Sequence, residues 1–397
     1  MATRFNGGII GVRNSTTGGA YGLARGRFSS NEVLLGVKDG TWPEWQEPII
    51  GNLFSWGNNY NGRLGQNNLI YRSSPVQIGN ESWSNVAVYG AALAISATGA
   101  LWAWGRNNRG QLGVGNTVDR SSPTQVGGLT TWSKVVMSFY NGAAIKTDGT
   151  LWSWGLNGDG RLGDNTTVYK SSPVQLGALT NWSNIAGNNA GFVAIRNGLL
   201  FTWGNNARGQ IGANTLSDNR SSPVQLGAET WAEVTGAGNF NVAIRTNGTM
   251  WSWGYGADGR TGLNEATYGR SSPTQIGALT TWSKIDAHQA HCFALKTDGT
   301  LWAWGKNNAG QLGLGDVISR SSPVQIGALT GWSKVAAGDY VGAAIKTNGT
   351  LWSWGDGGSG RLGQGNIIAT SSPIQVGLKK WANVASGGAF TIAILDN

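Results

Sequence analysis

The chain has 397 residues, a net charge of +9, a single cysteine and 64 glycines. One cysteine excludes an internal disulfide, and no stretch approaches the roughly 18 apolar residues that a membrane span needs. The abundant glycine argues against long helices, and the first residues lack the apolar core of a signal peptide. These features predict a soluble, glycine-rich β protein without a secretion signal.

Residues 1–50 form a segment of their own, because the repeat described below begins after them. The segment is rich in Gly, Ser and Thr and ends near the sequence Trp42-Pro43-Glu44-Trp45. It is too short and glycine-rich for an independent domain, so we predict an extended arm that becomes ordered on a partner. The alternative is a leader that packs loosely on the first repeat. The candidate contact residues of the arm are Phe5, Ile9, Arg13, Leu34, Trp42 and Trp45.

From residue 51 onwards a unit of about fifty residues recurs seven times, and three independent landmarks mark it. The Trp-Gly pair begins at Trp56, Trp104, Trp154, Trp203, Trp253, Trp304 and Trp354. The Ser-Ser-Pro triplet ends at Pro75, Pro123, Pro173, Pro223, Pro273, Pro323 and Pro373. A lone tryptophan follows at Trp83, Trp132, Trp182, Trp231, Trp282, Trp332 and Trp381. Agreement of the three landmarks identifies a repeat architecture.

Within each unit the residue pattern has the period of β-strands. In Leu151-Trp152-Ser153-Trp154, both tryptophans project to one side of a pleated strand. The preceding apolar run ends at Asp148-Gly149, a pair that favours a hairpin turn because both residues can take positive φ. Two further short strands are expected around Pro173 and Trp182, which gives four strands per unit.

Seven units of four strands predict an all-β fold, a seven-bladed β-propeller in which radial repetition protects the strand edges. The last unit stops at a hairpin turn after Leu395, where the other units continue with a Leu-x-x-Trp-Gly strand. That strand stands instead at the start of the repeat region, in Leu53–Trp56. We therefore predict that Leu53–Trp56 completes the last blade and closes the ring, with an arm at 1–50 and a propeller at 51–397.

The repeat also predicts where the tryptophans and the cations lie. Most tryptophans are expected to pack between blades, and an aromatic ligand-binding surface is the alternative for a few of them. A cation precedes the Ser-Ser-Pro triplet in six units, and we call this set the basic ring: Arg72, Arg120, Lys170, Arg220, Arg270 and Arg320. Equivalent repeat positions fall on one circle, so the basic ring either solubilises one rim or docks to an acidic surface. Stacking aromatic residues are not interleaved with these cations, so nucleic acid is not expected as a partner.

The sequence offers little for catalysis or for a cofactor. His288, His291 and Cys292 lie close to Asp286, and these residue types can bind metals. Strand alternation points His291 and Cys292 to opposite faces, however, so no metal site is expected. The glycine-rich loops lack the Gly-Lys-Ser/Thr of a phosphate loop, and no nucleotide is expected. With two histidines and no nucleophile–base set, the sequence predicts a non-enzymatic protein.

The repeat carries a family resemblance. Its pattern Leu-Trp-Ala-Trp-Gly-x-Asn-x-x-Gly-Gln-Leu-Gly-x-Gly, then Ser-Pro and Lys-Val-Ala-Ala-Gly, resembles the repeat of the regulator of chromosome condensation family over residues 51–397. The resemblance implies a seven-bladed propeller, but family members include a chromatin-bound exchange factor, a β-lactamase inhibitor and an ultraviolet photoreceptor. Here the family's repeat histidine stands only at His291, and the exchange factor's wedge insertion and the photoreceptor's Gly-Trp-Arg-His-Thr motif are absent. These departures count against those particular roles.

The arm resembles a short N-terminal module in structural proteins of tailed phages that infect marine cyanobacteria. The residues that carry the resemblance are Phe5 to Asn14, Ser30-Asn31-Glu32-Val33 and Thr41-Trp42-Pro43. It implies a virion protein, assembled in the host cytoplasm, whose arm binds capsid or tail proteins and whose propeller contacts neighbouring proteins or the host surface. The alternative is a soluble adaptor or inhibitor that binds an acidic partner through the basic ring.

Overall fold

The computed structural model describes residues 50–265 and 269–396. The predicted contact residues of the arm, Phe5, Ile9, Arg13, Leu34, Trp42 and Trp45, therefore lie outside the described residues. The part of the chain that the structure describes contains no helix with the length and apolar character of a membrane span.

The described residues form short β-strands joined by turns, with three 3-10 turns at Tyr60–Gly62, Ala257–Gly259 and Gly358–Gly360. The strands are β1 Gly51–Gly57, β2 Arg72–Val88, β3 Ala91–Ser96, β4 Leu101–Gly105, β5 Arg120–Gln125, β6 Trp132–Met137, β7 Asn141–Lys146, β8 Leu151–Gly155, β9 Lys170–Gln175, β10 Trp182–Gly187, β11 Gly191–Arg196, β12 Leu199–Gly204, β13 Arg220–Leu226, β14 Trp231–Ala237, β15 Phe240–Arg245, β16 Met250–Gly254, β17 Arg270–Gln275, β18 Trp282–His288, β19 His291–Lys296, β20 Leu301–Gly305, β21 Arg320–Gln325, β22 Trp332–Ala337, β23 Val341–Lys346, β24 Thr350–Gly355, β25 Thr370–Ser386 and β26 Phe390–Leu395.

These strands form seven antiparallel blades of four strands each, which confirms the predicted propeller. Strands β2 and β25 are long enough to serve two blades each. Blade 1 combines the second half of β2 with β3–β5, and blades 2–5 are β6–β9, β10–β13, β14–β17 and β18–β21. Blade 6 combines β22–β24 with the first half of β25. The first strand of each blade contacts the first strand of the next and lines the central channel.

Blade 7 closes the ring, as the sequence predicts. The second half of β25 pairs with β26, and β26 pairs with β1 in the register Leu53↔Ile394 and Trp56↔Thr391. The first half of β2 then adds the outermost strand of this blade. The two ends of the repeat region are thus hydrogen-bonded to each other, so that opening the ring requires breaking a complete strand pairing.

The hairpin turns differ from the predicted type in most blades. Gly149 has a φ of +77°, but Asp148 does not have positive φ, so the two-residue turn with both residues left-handed does not form there. Instead the Gly149 N–H donates to the Lys146 carbonyl, and the Asp148 carboxylate accepts hydrogen bonds from the backbone and hydroxyl of Thr150. This aspartate–threonine bonding favours a longer turn with one left-handed glycine.

The hydrophobic core lies between neighbouring blades. The Trp-Gly tryptophans are buried, and most of their indole N–H groups donate to a backbone carbonyl in the long loop of the preceding blade. Trp104 donates to Arg63 at 3.0 Å, and Trp154 donates to Gln111 at 2.8 Å. The lone tryptophans that begin the inner strands are buried as well. The prediction that the repeat tryptophans pack between blades is therefore confirmed.

One end of the ring carries the long loops that follow each Trp-Gly pair, and we call it the upper face. Each loop docks onto the outer strand of the next blade, as in the 2.7 Å bond from the Asn67 N–H to the Ser121 carbonyl. Glycine is required at the closest approach: Gly62 has a φ of +74°, and a Cβ there would lie 2.4 Å from the Ser121 Cα. The Ser-Ser-Pro landmark is thus the docking strip for the neighbouring loop.

Candidate functional site

The long loops of blades 1, 2, 5 and 7 are held in shape by a buried asparagine, whereas glycine stands at that position in blades 4 and 6, at Gly256 and Gly357. In blade 1 the Asn107 side chain donates from Nδ2 to the carbonyls of Asn116 and Val118, at 2.9 and 3.0 Å. Its Oδ1 accepts from the Leu112 N–H at 3.0 Å. Asn59, Asn157 and Asn307 make the same three bonds in blades 7, 2 and 5. Because backbone groups are satisfied internally, these loops are rigid platforms.

The turn that this asparagine bonds in blades 1, 2, 5 and 7 carries exposed apolar side chains, and such side chains also occur in blades 3 and 6. Asn107 draws the Val118 carbonyl inward, and the Val118 side chain is 56% exposed. Exposed apolar residues recur at this position, and we call them the apolar rim: Leu69, Ile70, Tyr71, Val118, Val168, Tyr169, Leu216, Val317, Ile318, Ile367 and Ile368. Exposed apolar side chains clustered on loops with internally bonded backbones mark a candidate interaction site.

The residues of the basic ring begin the outer strands, one on each of six blades, next to the apolar rim. Four of them are paired with a carboxylate of their own loop. Arg320 lies 2.6 Å from Asp316, and Arg270 lies 3.0 Å from Glu265. Arg220 pairs with Asp218, and Lys170 lies 4.0 Å from Asp164. The six cations therefore occupy equivalent positions around the ring, as predicted, but four of them are already paired with a carboxylate. The role of the basic ring in binding stays a prediction.

Arg72 and Arg120 differ from these four. Arg72 donates from Nε to the Gln66 side chain at 3.1 Å, and Arg120 has no side-chain hydrogen bond or ion pair to another described residue. Three further arginines stand on the same loops of blades 7 and 1. We call this group the arginine sector, consisting of Arg63, Arg72, Arg106, Arg109 and Arg120. Sequence reasoning missed Arg63, Arg106 and Arg109, because it followed one repeat position instead of the charge balance of each loop.

The channel at the upper face is closed by residues that do not follow the repeat. Tyr89 projects from blade 1, and its ring lies 4.2 Å from the His288 ring of blade 5. Its hydroxyl donates to the Asn189 side chain of blade 3 at 2.7 Å. His288 Nδ1 in turn lies 3.1 Å from an Asp339 oxygen of blade 6. Burial raises the pKa of Asp339, but the hydrogen bond to His288 and the charges of His288 and Arg361 outweigh it, so the pKa is lowered. Sequence reasoning did not identify this plug.

Blade 5 contains two buried titratable groups, Asp286 and His291. Burial raises the pKa of Asp286 to about 6, against the hydrogen bonds that its carboxylate accepts from Ala337 and Thr235. Burial, and next the charge of His288, lower the pKa of His291 to about 3. Cys292 packs between blades 4 and 5, whereas His291 contacts Phe293 on the opposite side. The predicted divergence is confirmed, and the described residues contain no cluster of three metal-binding side chains.

Comparison with known proteins agrees with this architecture. The RCC1-like domain model matches residues 143–397, and the model of the regulator of chromosome condensation (RCC1) repeat matches residues 51–89 and 98–140. No curated protein shows significant sequence similarity to this chain.

Three solved structures show the likeness of fold. Human WBSCR16 has a TM-score of 0.79 and 19% identity, over 87% of this chain and 99% of that chain. Prp20p from Saccharomyces cerevisiae has a TM-score of 0.77 and 19% identity, over 89% of this chain and 93% of that chain. Yeast RCC1 (Prp20) in the structure with Kap60 has a TM-score of 0.76 and 18% identity, over 97% of both chains. The repeat, the seven blades and the family match agree: the chain belongs to the RCC1-like domain family.

Proposed function

We propose that the chain is a non-enzymatic binding protein that presents the upper face of its propeller to a protein partner. The observation that carries the proposal is the apolar rim, whose side chains are held in solvent by loops with internally bonded backbones. A soluble monomer gains nothing from such exposure, whereas a partner protein would bury it. The described residues contain no nucleophile–base–acid set that would favour a reaction over binding.

The related structures are consistent with a binding role. Prp20p is described as binding Gsp1p and histones, and the second yeast structure contains RCC1 (Prp20) together with Kap60. Those partners belong to those proteins. For this chain they support a general inference only, namely that an RCC1-like ring is a scaffold on which protein surfaces dock.

The setting that we propose is the particle of a tailed phage, with the chain as a structural protein that decorates the capsid or belongs to a tail or fibre appendage. The support is the resemblance of the arm, which would attach the ring through Phe5, Ile9, Arg13, Leu34, Trp42 and Trp45. We expect mass spectrometry and imaging to find the full chain on purified particles. Deletion of residues 1–45 should abolish incorporation and leave the ring folded. Normal incorporation of the deletion variant would overturn this setting.

The alternative, a soluble adaptor or inhibitor with a basic face, is favoured by one observation: the arginine sector has almost no carboxylates. It predicts salt-sensitive binding to an acidic partner in the absence of particles. A chain that is found only on particles, or binding that does not respond to salt, would count against it. Capsid, portal and tail genes beside the coding gene would favour the virion setting.

A further inference from the structure

The arginine sector is set apart from the rest of the upper face by its charge balance. The loops and strand starts at 57–72 and 105–120 contain five arginines and one carboxylate, Asp119, a balance of +4. The corresponding stretches 155–170 and 254–270 each contain two cations and two carboxylates, a balance of zero. Positive charge is therefore concentrated on blades 7 and 1, although their loops make the same asparagine bonds as those of blades 2 and 5.

The one carboxylate in the sector is already engaged by amides. Asp119 accepts a hydrogen bond from the Asn107 N–H at 2.7 Å through Oδ1 and from the Asn61 side chain at 2.5 Å through Oδ2. The second bond joins the loop of blade 7 to that of blade 1, so the two loops form one continuous surface. Burial lowers the pKa of Arg63, the charge of Asp339 opposes that shift, and the like charge of Arg106 adds to it more weakly.

Apolar side chains surround these arginines. Tyr60 is 66% exposed and Leu69 is 64% exposed, and Ile70, Tyr71 and Val118 continue the apolar rim across both loops. A groove of about 520 Å³ opens beside Arg72 and is lined by Trp83 and Trp102, with one carboxylate, Glu81, also in its wall, so the groove suits an apolar side chain of the partner and not a carboxylate.

Arg63 and Arg106 lie over the rings of Phe390 and Tyr140, whereas Arg72 and Arg120 have no ion pair among the described residues. The sector thus combines two guanidinium groups without a carboxylate partner with apolar surface and with a recess that an apolar side chain could enter.

Trp102, which lines the groove, lacks the hydrogen-bond acceptor that the equivalent tryptophans of other blades have. Trp152, Trp302 and Trp352 each donate their indole N–H to a threonine hydroxyl two residues earlier. In blade 1 that position is Ala100, and the buried indole N–H of Trp102 has no hydrogen-bond partner among the described residues. A buried donor without an acceptor costs free energy. The nitrogen itself is enclosed, so what the groove offers a partner is the apolar surface of Trp83 and Trp102.

We propose that the arginine sector is the docking site of an acidic protein segment in which carboxylates alternate with apolar side chains. The inference rests on the proposed binding function and names the chemistry of its partner. The guanidinium fork matches a carboxylate through two parallel hydrogen bonds. Leu69, Ile70 and Val118 are aliphatic and can bury an apolar side chain of such a segment, whereas only Tyr60 and Tyr71 among the exposed side chains of these two loops could stack on a base, which favours protein over nucleic acid.

The test uses the full chain and a fluorescein-labelled peptide that repeats Glu-Asp-Leu-Glu, followed by fluorescence anisotropy. We expect the double variant Arg72→Glu with Arg120→Glu to weaken binding by about tenfold or more, because two contacts become repulsive. The matched control is Arg220→Glu with Arg320→Glu, which reverses the same net charge at equivalent positions whose arginines are paired. It should change the affinity by less than about threefold. Equal weakening by both double variants, or no binding by the wild type, overturns the proposal.

Two further probes separate the classes of partner. A poly-glutamate peptide of the same length should bind more weakly, because it has no side chain for the apolar rim and the groove. Tighter binding of a DNA duplex than of the Glu-Asp-Leu-Glu peptide would overturn the choice of protein. Thermal unfolding confirms that each variant is folded. The variant without residues 1–45 should keep its peptide affinity, so failure of the phage setting and failure of the docking site give different results.

Discussion

The rim of the upper face follows the sequence repeat in its backbone bonds, whereas the side chains at the upper end of the channel do not follow it. At the rim, the loops of blades 1, 2, 5 and 7 keep the same backbone bonds, fixed by buried asparagines such as Asn107 and Asn307, while their exposed side chains vary. At the channel, the equivalent positions hold side chains that differ from blade to blade, as Tyr89, Asn189, Asp339 and Gly388 show. Exposed side chains of the rim can therefore change independently of one another. The side chains at the channel end also differ from blade to blade, but they contact one another across the channel.

The difference separates two roles. Rim residues such as Arg120 and Val118 can change without loss of packing, so their chemistry is free to serve a partner. Tyr89 contacts blades 3 and 5 across the channel, so its chemistry serves the closure of the ring. Channel variants should therefore lower stability and leave binding of the acidic peptide unchanged. Rim variants should change binding of the peptide and leave stability unchanged.

The largest expected effect is that of Tyr89→Ala. The side chain is buried and bridges three blades, so its removal leaves a cavity on the axis of the ring. We expect the free energy of unfolding to fall by about 3–5 kcal/mol, the range for truncation of buried large aromatic residues. Urea denaturation followed by tryptophan fluorescence measures the loss.

Tyr89→Phe is the matched control, because it keeps the ring and removes only the hydroxyl that donates to Asn189. It should lower the free energy of unfolding by about 1 kcal/mol. If Tyr89→Ala also loses no more than that, or if it weakens binding of the Glu-Asp-Leu-Glu peptide, the separation between channel and rim is wrong.

The second prediction concerns Asp286, whose carboxylate joins blades 4, 5 and 6 through Thr235 and Ala337. Its pKa is raised from 3.8 to about 6, so between these values the folded chain binds a proton that the unfolded chain has released. This group therefore makes the free energy of unfolding fall as pH rises from about 4 to 6, by about 3 kcal/mol in total. Asp286→Asn should remove that fall and keep an acceptor for the Ala337 N–H.

His291 contributes the opposite slope. Its pKa is lowered to about 3, so above that value the unfolded chain binds the extra proton, and stability rises with pH until the unfolded histidine loses its proton near 6.5. In the wild type the two slopes oppose each other between pH 4 and 6. Asp286→Asn should therefore show a steeper rise of unfolding free energy over this interval, measured by urea titrations at several pH values. An unchanged pH profile would contradict the raised pKa of Asp286.

The sequence was sufficient to predict the fold because the same strand pattern recurs in seven units. Each Trp-Gly pair, each Ser-Ser-Pro triplet and the displaced strand Leu53–Trp56 report on backbone pairing, which is local and periodic. The Asp148-Gly149 turn was predicted with the wrong geometry, because the hydrogen bonds that Thr150 donates to the Asp148 carboxylate compete with the tighter two-residue turn.

The candidate site was less accessible to sequence reasoning. The basic ring was found as a pattern, but whether Arg320 is paired and Arg120 is not depends on a carboxylate four residues earlier and on how the loop folds back. The Tyr89 plug depends on contacts between blades 1, 3 and 5, which no local pattern encodes. Both could have been approached by comparing the seven units for what differs instead of for what recurs.

The smallest expected effect is that of Asn116→Asp, which tests the difference between paired and unpaired arginines on the rim. Asn116 and Asp316 occupy equivalent turns: each caps the N–H two residues later, and each gives its carbonyl to the buried asparagine. Only Asp316 adds an ion pair to its arginine. Asn116→Asp should give Arg120 the same partner and weaken binding of the Glu-Asp-Leu-Glu peptide by about fivefold, which is roughly 1 kcal/mol. The free energy of unfolding should change by less than about 1 kcal/mol, because the turn is unaltered.

Asn366→Asp in blade 6 is the control, since Asn366 caps the same turn but its loop leads to Thr370 instead of a cation. It adds the same negative charge without pairing an arginine, and we expect a change in affinity of less than about twofold. A fall equal to that of Asn116→Asp would mean that the peptide responds to net charge alone. A larger fall for Asn116→Asp would mean that it responds to the unpaired guanidinium of Arg120, because that is the group the two substitutions treat differently.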